Sequence, residues 1–138
     1  MYKTGRKLLM MAVAFGVSLL LTGCVVRQGA EKQKDLEFTV IRIQDVPASL
    51  KEQLEEKKEE DFKLTYSDNE YLYIVRGYGI QETGGYCISV NECYLAENKI
   101  CVRTTLNGPQ AGEKVEKTPS YPMVILKMEL RSEPVVFE

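Results

Sequence analysis

After residue 36, apolar and polar residues alternate along most of the chain, and the period lengthens once. Residues 36–44 put Phe38, Val40 and Arg42 on one side of an extended segment and Thr39, Ile41 and Ile43 on the other, which predicts a strand. Asp45-Val46-Pro47 reads as a helix start, with Pro in the first turn, where its missing N–H costs nothing. Strong helix formers follow from Ala48 to about Asp61. Leu50 and Leu54 stand one turn apart, so this helix buries a narrow stripe. The run Glu55-Glu56-Lys57-Lys58-Glu59-Glu60-Asp61 is its solvated face. Strands are then expected at 62–66 and 71–78, joined by the turn residues Ser67-Asp68-Asn69-Glu70. Further strands are expected at 86–95, 100–106 and 121–130, with a short tail at Val135-Val136-Phe137. The expected fold is α+β: an N-terminal strand and one amphipathic helix, followed by an antiparallel sheet of about five or six strands.

The two strands around Ala96-Glu97-Asn98-Lys99 permit a register argument. With Glu97-Asn98 as a two-residue turn and Asn98 at positive φ, Leu95 faces Ile100, Cys93 faces Val102, and Glu92 meets Arg103 as a charge pair. Tyr86, Ile88 and Val90 have the opposite parity to Cys93 and Leu95. A bulge near Asn91-Glu92 would restore one inward face. That register buries Cys93 and exposes Cys101. A three-residue turn would instead oppose Cys93 to Cys101 and point Leu95 outward.

The start of the chain follows a different rule. Lys3, Arg6 and Lys7 precede an apolar run over residues 8–21, too short for a comfortable membrane span but suited to a secretory signal. Leu21-Thr22-Gly23-Cys24 resembles the lipobox of bacterial lipoproteins. That resemblance implies a signal peptide over residues 1–23 and cleavage before Cys24. The Cys24 thiol would carry a diacylglycerol and its amine could take a further acyl chain; two or more chains anchor stably. Residues 24–35 read as a flexible tether of at most about 40 Å, at roughly 3.5 Å per residue. A single globular domain over residues 36–138 would then sit at the outer face of the cytoplasmic membrane or in the cell envelope.

Composition removes whole classes of chemistry. The 138 residues include no His, so neither a Ser-His-Asp nor a Cys-His nucleophile system can be built, and His-containing zinc sites are excluded. The near-neutral balance, a net charge of −2, leaves no basic footprint for nucleic acid. Loss of residues 1–23 would leave 15 basic against 20 acidic side chains, so the mature domain is acidic and is repelled by an anionic lipid surface.

With Cys24 acylated, Cys87, Cys93 and Cys101 permit at most one bridge. Cys87 and Cys93 would lie roughly 20 Å apart on one strand, too far for a disulfide. Cys93 and Cys101 could meet only in the three-residue-turn register. The expectation is no disulfide among the three, and their spacing does not match a zinc site. Gly77, Gly79, Gly84 and Gly85 superficially suggest a phosphate loop, but they join two strands and no Lys-bearing helix follows. Ser89, Thr104 and Thr105 have no base nearby in sequence. The eight Tyr could form a stacking surface, although their alternate strand positions suit core and rim packing better.

Thr83-Gly84-Gly85-Tyr86 with Ile88 and Val90, then Gly108-Pro109-Gln110-Ala111-Gly112, Tyr121-Pro122 and the apolar 124–126, resemble the C-terminal domain of the PrcB family over about residues 75–128. The sequence departs from the family at Asn107-Gly108-Pro109 and at its three Cys. Physically, Gly84 and Gly85 would permit an unusual backbone entering a strand, with Tyr86 beginning its buried side. Pro109 and Gly112 would shape a crossover, and Pro122 suits an edge or first-strand position. The resemblance implies a bacterial lipoprotein that is an accessory subunit of a surface protease complex, with a subtilisin-type protease as the partner to look for, and not the peptidase. The expectation is therefore a non-enzyme without cofactors that binds another envelope or secreted protein. The alternative is an envelope lipoprotein that holds peptide or glycan on a Tyr-rich sheet surface, or one with a purely structural role.

Overall fold

The computed structural model describes residues 33–138. In chain order these form β1 (Lys34–Asp35), β2 (Thr39–Ile41), a 3-10 turn (Ile43–Asp45), helix α1 (Ala48–Lys57), β3 (Asp61–Ser67), β4 (Tyr71–Tyr78), β5 (Cys87–Ala96), β6 (Lys99–Asn107), β7 (Met123–Glu129) and β8 (Val135–Phe137). The α+β class with one helix holds, but the single sheet does not. The strands make two four-stranded sheets, ordered β1-β5-β6-β8 and β2-β7-β4-β3. Neighbours are antiparallel except β6 and β8, which run parallel.

The reason lies in β4 and β7. Leu72, Tyr73, Ile74 and Val75 are buried in succession, as are Val124, Ile125 and Leu126, so both faces of these strands need cover. Leu72, Ile74, Val124, Leu126 and Met128 pack with Cys93, Ile100 and Val102 of the opposing sheet. Tyr73, Val75 and Ile125 pack on the other face with Val46, Leu50 and Leu54 at and before α1, and with Phe62 of β3. The result is three layers: sheet, sheet, helix. Tyr78 and Thr104 link the two sheets through their hydroxyls, 2.5 Å apart.

The N-terminal strand is split. Residues 36–38 cross between the sheets, so β1 pairs with β5 and β2 with β7. Lys34 and Asp35, read as the end of the tether, pair with Leu95 and Tyr94, and the Gln33 N–H donates to the Leu95 carbonyl at 2.8 Å. A sheet edge binds backbone of any sequence, so this segment carries no hydrophobic pattern. Helix α1 ends at Lys57, short of Asp61, because Asp61 is taken into β3 opposite Tyr78 and tertiary pairing overrides helix propensity. The Asp68 carboxylate accepts from the Glu70 and Tyr71 N–H groups at 2.8 and 2.7 Å, closing the turn between β3 and β4. Those two bonds hold its pKa below the ordinary carboxylate value.

The β5–β6 hairpin follows the two-residue-turn register. Cys93 faces Val102 and Leu95 faces Ile100, Glu92 pairs with Arg103, and the register shifts between Val90 and Glu92. Glu97 and Asn98 have φ of 53° and 63°, the pair of left-handed residues that such a tight turn demands. Cys101 departs from expectation: it is buried, in a cluster with Tyr94 and Ala96. It occupies an interior strand, with Tyr94 opposite it on β5 and Val136 beside it on β8, so large side chains flank it on both sides.

Candidate functional site

Two loops meet at one end of the sandwich: residues 79–86, between β4 and β5, and residues 108–122, between β6 and β7. Their backbones are bonded directly. Gln81 and Ser120 exchange both N–H···O bonds, at 2.9 and 3.0 Å, and the Gly84 N–H donates to the Glu116 carbonyl at 3.0 Å. The Tyr78 N–H donates to the Pro122 carbonyl at 3.1 Å, which ties the second loop to the end of β4. Ser120 Oγ donates to the Thr83 carbonyl at 2.7 Å, and Thr83 Oγ1 to the Gly84 carbonyl at 3.0 Å.

Gly85 is the steric hinge of this arrangement. Its φ is +91°, and a Cβ there would lie 2.5 Å from Val115 Cγ1 and 3.2 Å from Pro109 Cβ. Gly84 has no such constraint, since the nearest atom to a Cβ would be 3.8 Å away; of the two, only Gly85 needs to be glycine. Tyr86 lies just before β5 and is half-buried, and its ring passes 3.1 Å from where a Gly108 Cβ would be. Gly112, at φ +83°, occupies the third position of a tight turn in which the Glu113 N–H donates to the Gln110 carbonyl at 2.9 Å. The Glu113 carboxylate in turn accepts from the Gln110 N–H at 2.8 Å. Pro122 stands immediately before β7, outside the ladder, where its missing donor breaks no strand bond. The Lys58 ammonium lies 4.8 Å above the Tyr121 ring, joining the end of α1 to this loop.

The structure thus brings Gly84, Gly85, Tyr86, Pro109, Tyr121 and Pro122 into one two-loop unit, with Gly112 at its outer tip. Val115, Ser120, Gln81 and Lys58 were missed by sequence reasoning. Val115 did carry a signal, as the lone large aliphatic residue in an otherwise polar stretch. Leu21, Thr22, Gly23 and Cys24, the signal peptide over 1–23 and the tether up to residue 32 lie outside the described residues.

In chemical terms these loops form a platform. The hydroxyls of Thr83 and Ser120 donate to carbonyls, so neither is paired with a base that could activate it. Ile80 is 50% exposed beside the bonded loops and offers an apolar contact. A separate cleft of about 970 Å³ opens by β1 and β2, lined by Leu36, Phe38, Ile41, Tyr71, Lys127 and Met128 among others, and contains none of the motif residues. The thiol most perturbed by its surroundings is remote from both loops in the β5–β6 register. Burial, with smaller contributions from Asp35 and Cys101, pushes Cys93 up to about 11, which keeps it protonated and unreactive at neutral pH. Cys87 is exposed and Cys93 and Cys101 are buried, and all three are free thiols. The Tyr side chains of β3 and β4 do not make an open stacking surface. Tyr73 is buried under α1, Tyr66 bonds to Ser49 of the helix, and Tyr71 lies edge-on to Tyr73 with Lys127 4.1 Å above its ring.

Residues 72–129 match the PrcB C-terminal family. The matched segment begins three residues before and ends one residue after the stretch expected from the motifs. It spans β4, β5, β6 and β7, the central pair of each sheet, and both loops of the platform. The PrcB-like segment is therefore the heart of the sandwich, and β1–β3, α1 and β8 complete its edges and outer face. Neither a search of curated proteins nor one of solved structures found a match.

The platform makes a clear prediction. Gly85→Ala is expected to lose about 1–3 kcal/mol through its left-handed backbone and the clash with Val115. Gly84→Ala should stay within about 0.5 kcal/mol. Urea unfolding of the two variants checks this, and equal losses would contradict the geometry.

Proposed function

We propose that this protein is a lipid-anchored lipoprotein of the bacterial envelope, acting as a non-catalytic, protein-binding accessory subunit of a secreted or surface protease. The observation that carries this reading is the PrcB C-terminal match over residues 72–129, whose motif residues are gathered into one bonded two-loop platform. The leader supports the anchor: a basic start, a short apolar run and Leu21-Thr22-Gly23-Cys24 belong together in a lipidated precursor. The acyl chains on Cys24 hold the domain near the membrane, and its acidity keeps the folded part off the lipid.

Cross-linking of the native, membrane-bound protein, with mass spectrometry of what it captures, tests the role. A protease among the captured proteins is the expected result. Recovery of no protein at all would remove the accessory reading. Labelling with a palmitate analogue tests the anchor separately: Cys24→Ala should abolish incorporation, and retained label would overturn it.

A further inference from the structure

The free edges of the two sheets are not alike. β3 exposes Asp61 and Lys63 along its length, and charge on an edge opposes pairing with another chain. β2 and β8 have three residues each. The edge of β5 is different. β1 covers it only at Tyr94 and Leu95, with the Leu36 N–H donating to the Cys93 carbonyl at 3.0 Å, and the chain then leaves for the other sheet. From Cys87 to Val90, β5 pairs with β6 on one side and, among the described residues, with no strand on the other. The stretch Cys87-Ile88-Ser89-Val90-Asn91 contains no charge and no Pro, and the register shift between Val90 and Glu92 divides it from the covered part.

Side chains on both sheets mark the same gap. Ile88 and Val90 point toward the inter-sheet core but are only partly buried. On the facing sheet, Val40 lies opposite Leu126, a core residue, and so shares its face, yet Val40 is 55% exposed. Only residues 36–38 separate β1 from β2, so the two edges lie on the same side of the sandwich, and β1 stops short after two residues. A strand continuing in the position of β1, antiparallel to β5, would pair with the open backbone of residues 87–90. Alternate side chains of that strand would cover Ile88, Val90 and Val40.

We propose that this edge takes up an extended, uncharged segment of a partner protein, apolar at alternate positions, as an added strand. The proposal rests on the protein-binding reading above and names the surface used. The occupant follows from the edge: backbone donors and acceptors supply affinity, and the three aliphatic side chains require apolar partners with no charge to bury.

The test places a photo-crosslinking residue at Ser89, exposed on the open edge, in the full-length chain within its native membrane, with the same residue at the exposed Thr65 of β3 for comparison. The expected result is an adduct from position 89 to an extended apolar segment of another protein. Adding Val40→Lys should lower its yield about tenfold, the effect of losing one buried Val. Since Val40 is exposed, circular dichroism of that variant should match the parent. Adducts from position 65 alone, adducts of the chain with itself, or a yield indifferent to Val40→Lys would each overturn the proposal while leaving an accessory subunit that binds elsewhere. Failure to capture any protein here and by general cross-linking would overturn both.

Discussion

Leu54→Ala is expected to lower stability by about 2–5 kcal/mol, the range for deleting a fully buried Leu from a core that cannot collapse around the hole. Leu54 has no exposed surface, and within α1 it and Leu50 are the buried residues, one turn apart. A ten-residue helix is too short to persist alone, so its stability comes from that stripe packed on Tyr73, Val75 and Ile125. The damage should be graded across the molecule. Amides of α1 should lose protection from hydrogen exchange first, while the cluster between the two sheets, to which the helix contributes no residue, keeps most of its own. Denaturant unfolding gives the magnitude and exchange gives the pattern. Uniform loss of protection would show that the helix and the sandwich unfold as one unit. Glu55→Ala, on the exposed face of the same helix, should change stability by less than about 0.5 kcal/mol.

Gly77→Ala should cost at least the 1–3 kcal/mol typical of an overpacked core. Gly77 is buried inside β4, between Phe62 of β3 and Met123 of β7. Its missing side chain makes room for the Phe62 ring: a Cβ would lie 2.1 Å from Cε1 and 2.6 Å from Cδ1. The ring cannot simply swing out, because it is itself buried against the residues that seat the helix. A double-mutant cycle isolates the clash. Phe62→Ala alone should cost about 3–5 kcal/mol. The Gly77→Ala/Phe62→Ala pair should be more stable than the sum of the single losses by about 0.5–3 kcal/mol. Strict additivity would mean that Gly77 is needed for some reason other than the ring.

The most legible part of the fold was the β5–β6 hairpin, because two independent local signals agreed. The two-residue turn at Glu97-Asn98 set a register in which Glu92 meets Arg103, and the parity conflict between Val90 and Cys93 demanded the bulge. The helix face was legible from Leu50 and Leu54. The division into two sheets was not. Apolar residues on both sides of β4 say that both faces are covered, but not that a helix covers one and a second sheet the other. β1 escaped notice and β8 was legible only as a short tail, its place in a sheet unread, for a related reason: they pair through backbone, β8 in parallel with a strand some 35 residues earlier, and backbone pairing leaves no periodic trace in so few residues. At the candidate site, the glycines and prolines marked where the chain turns. The joining of the two loops was hidden, since Gln81–Ser120 and Gly84–Glu116 are backbone bonds between segments far apart in sequence.

The central layer also sets an order of events for a newly made chain. Helix α1 and the β3–β4 hairpin can begin to form from local sequence, on the microsecond scale of such elements. Their common floor includes Ile125, however, and β4 acquires its inner neighbour only when β7 pairs with it. Tyr71 pairs with Glu129, so closing that ladder requires the whole β5–β6 hairpin and both platform loops to be looped out first. Until then Leu72 and Ile74 stand uncovered on a half-built sheet. The slow step of folding, and the moment of greatest exposure to aggregation, is therefore the arrival of β7.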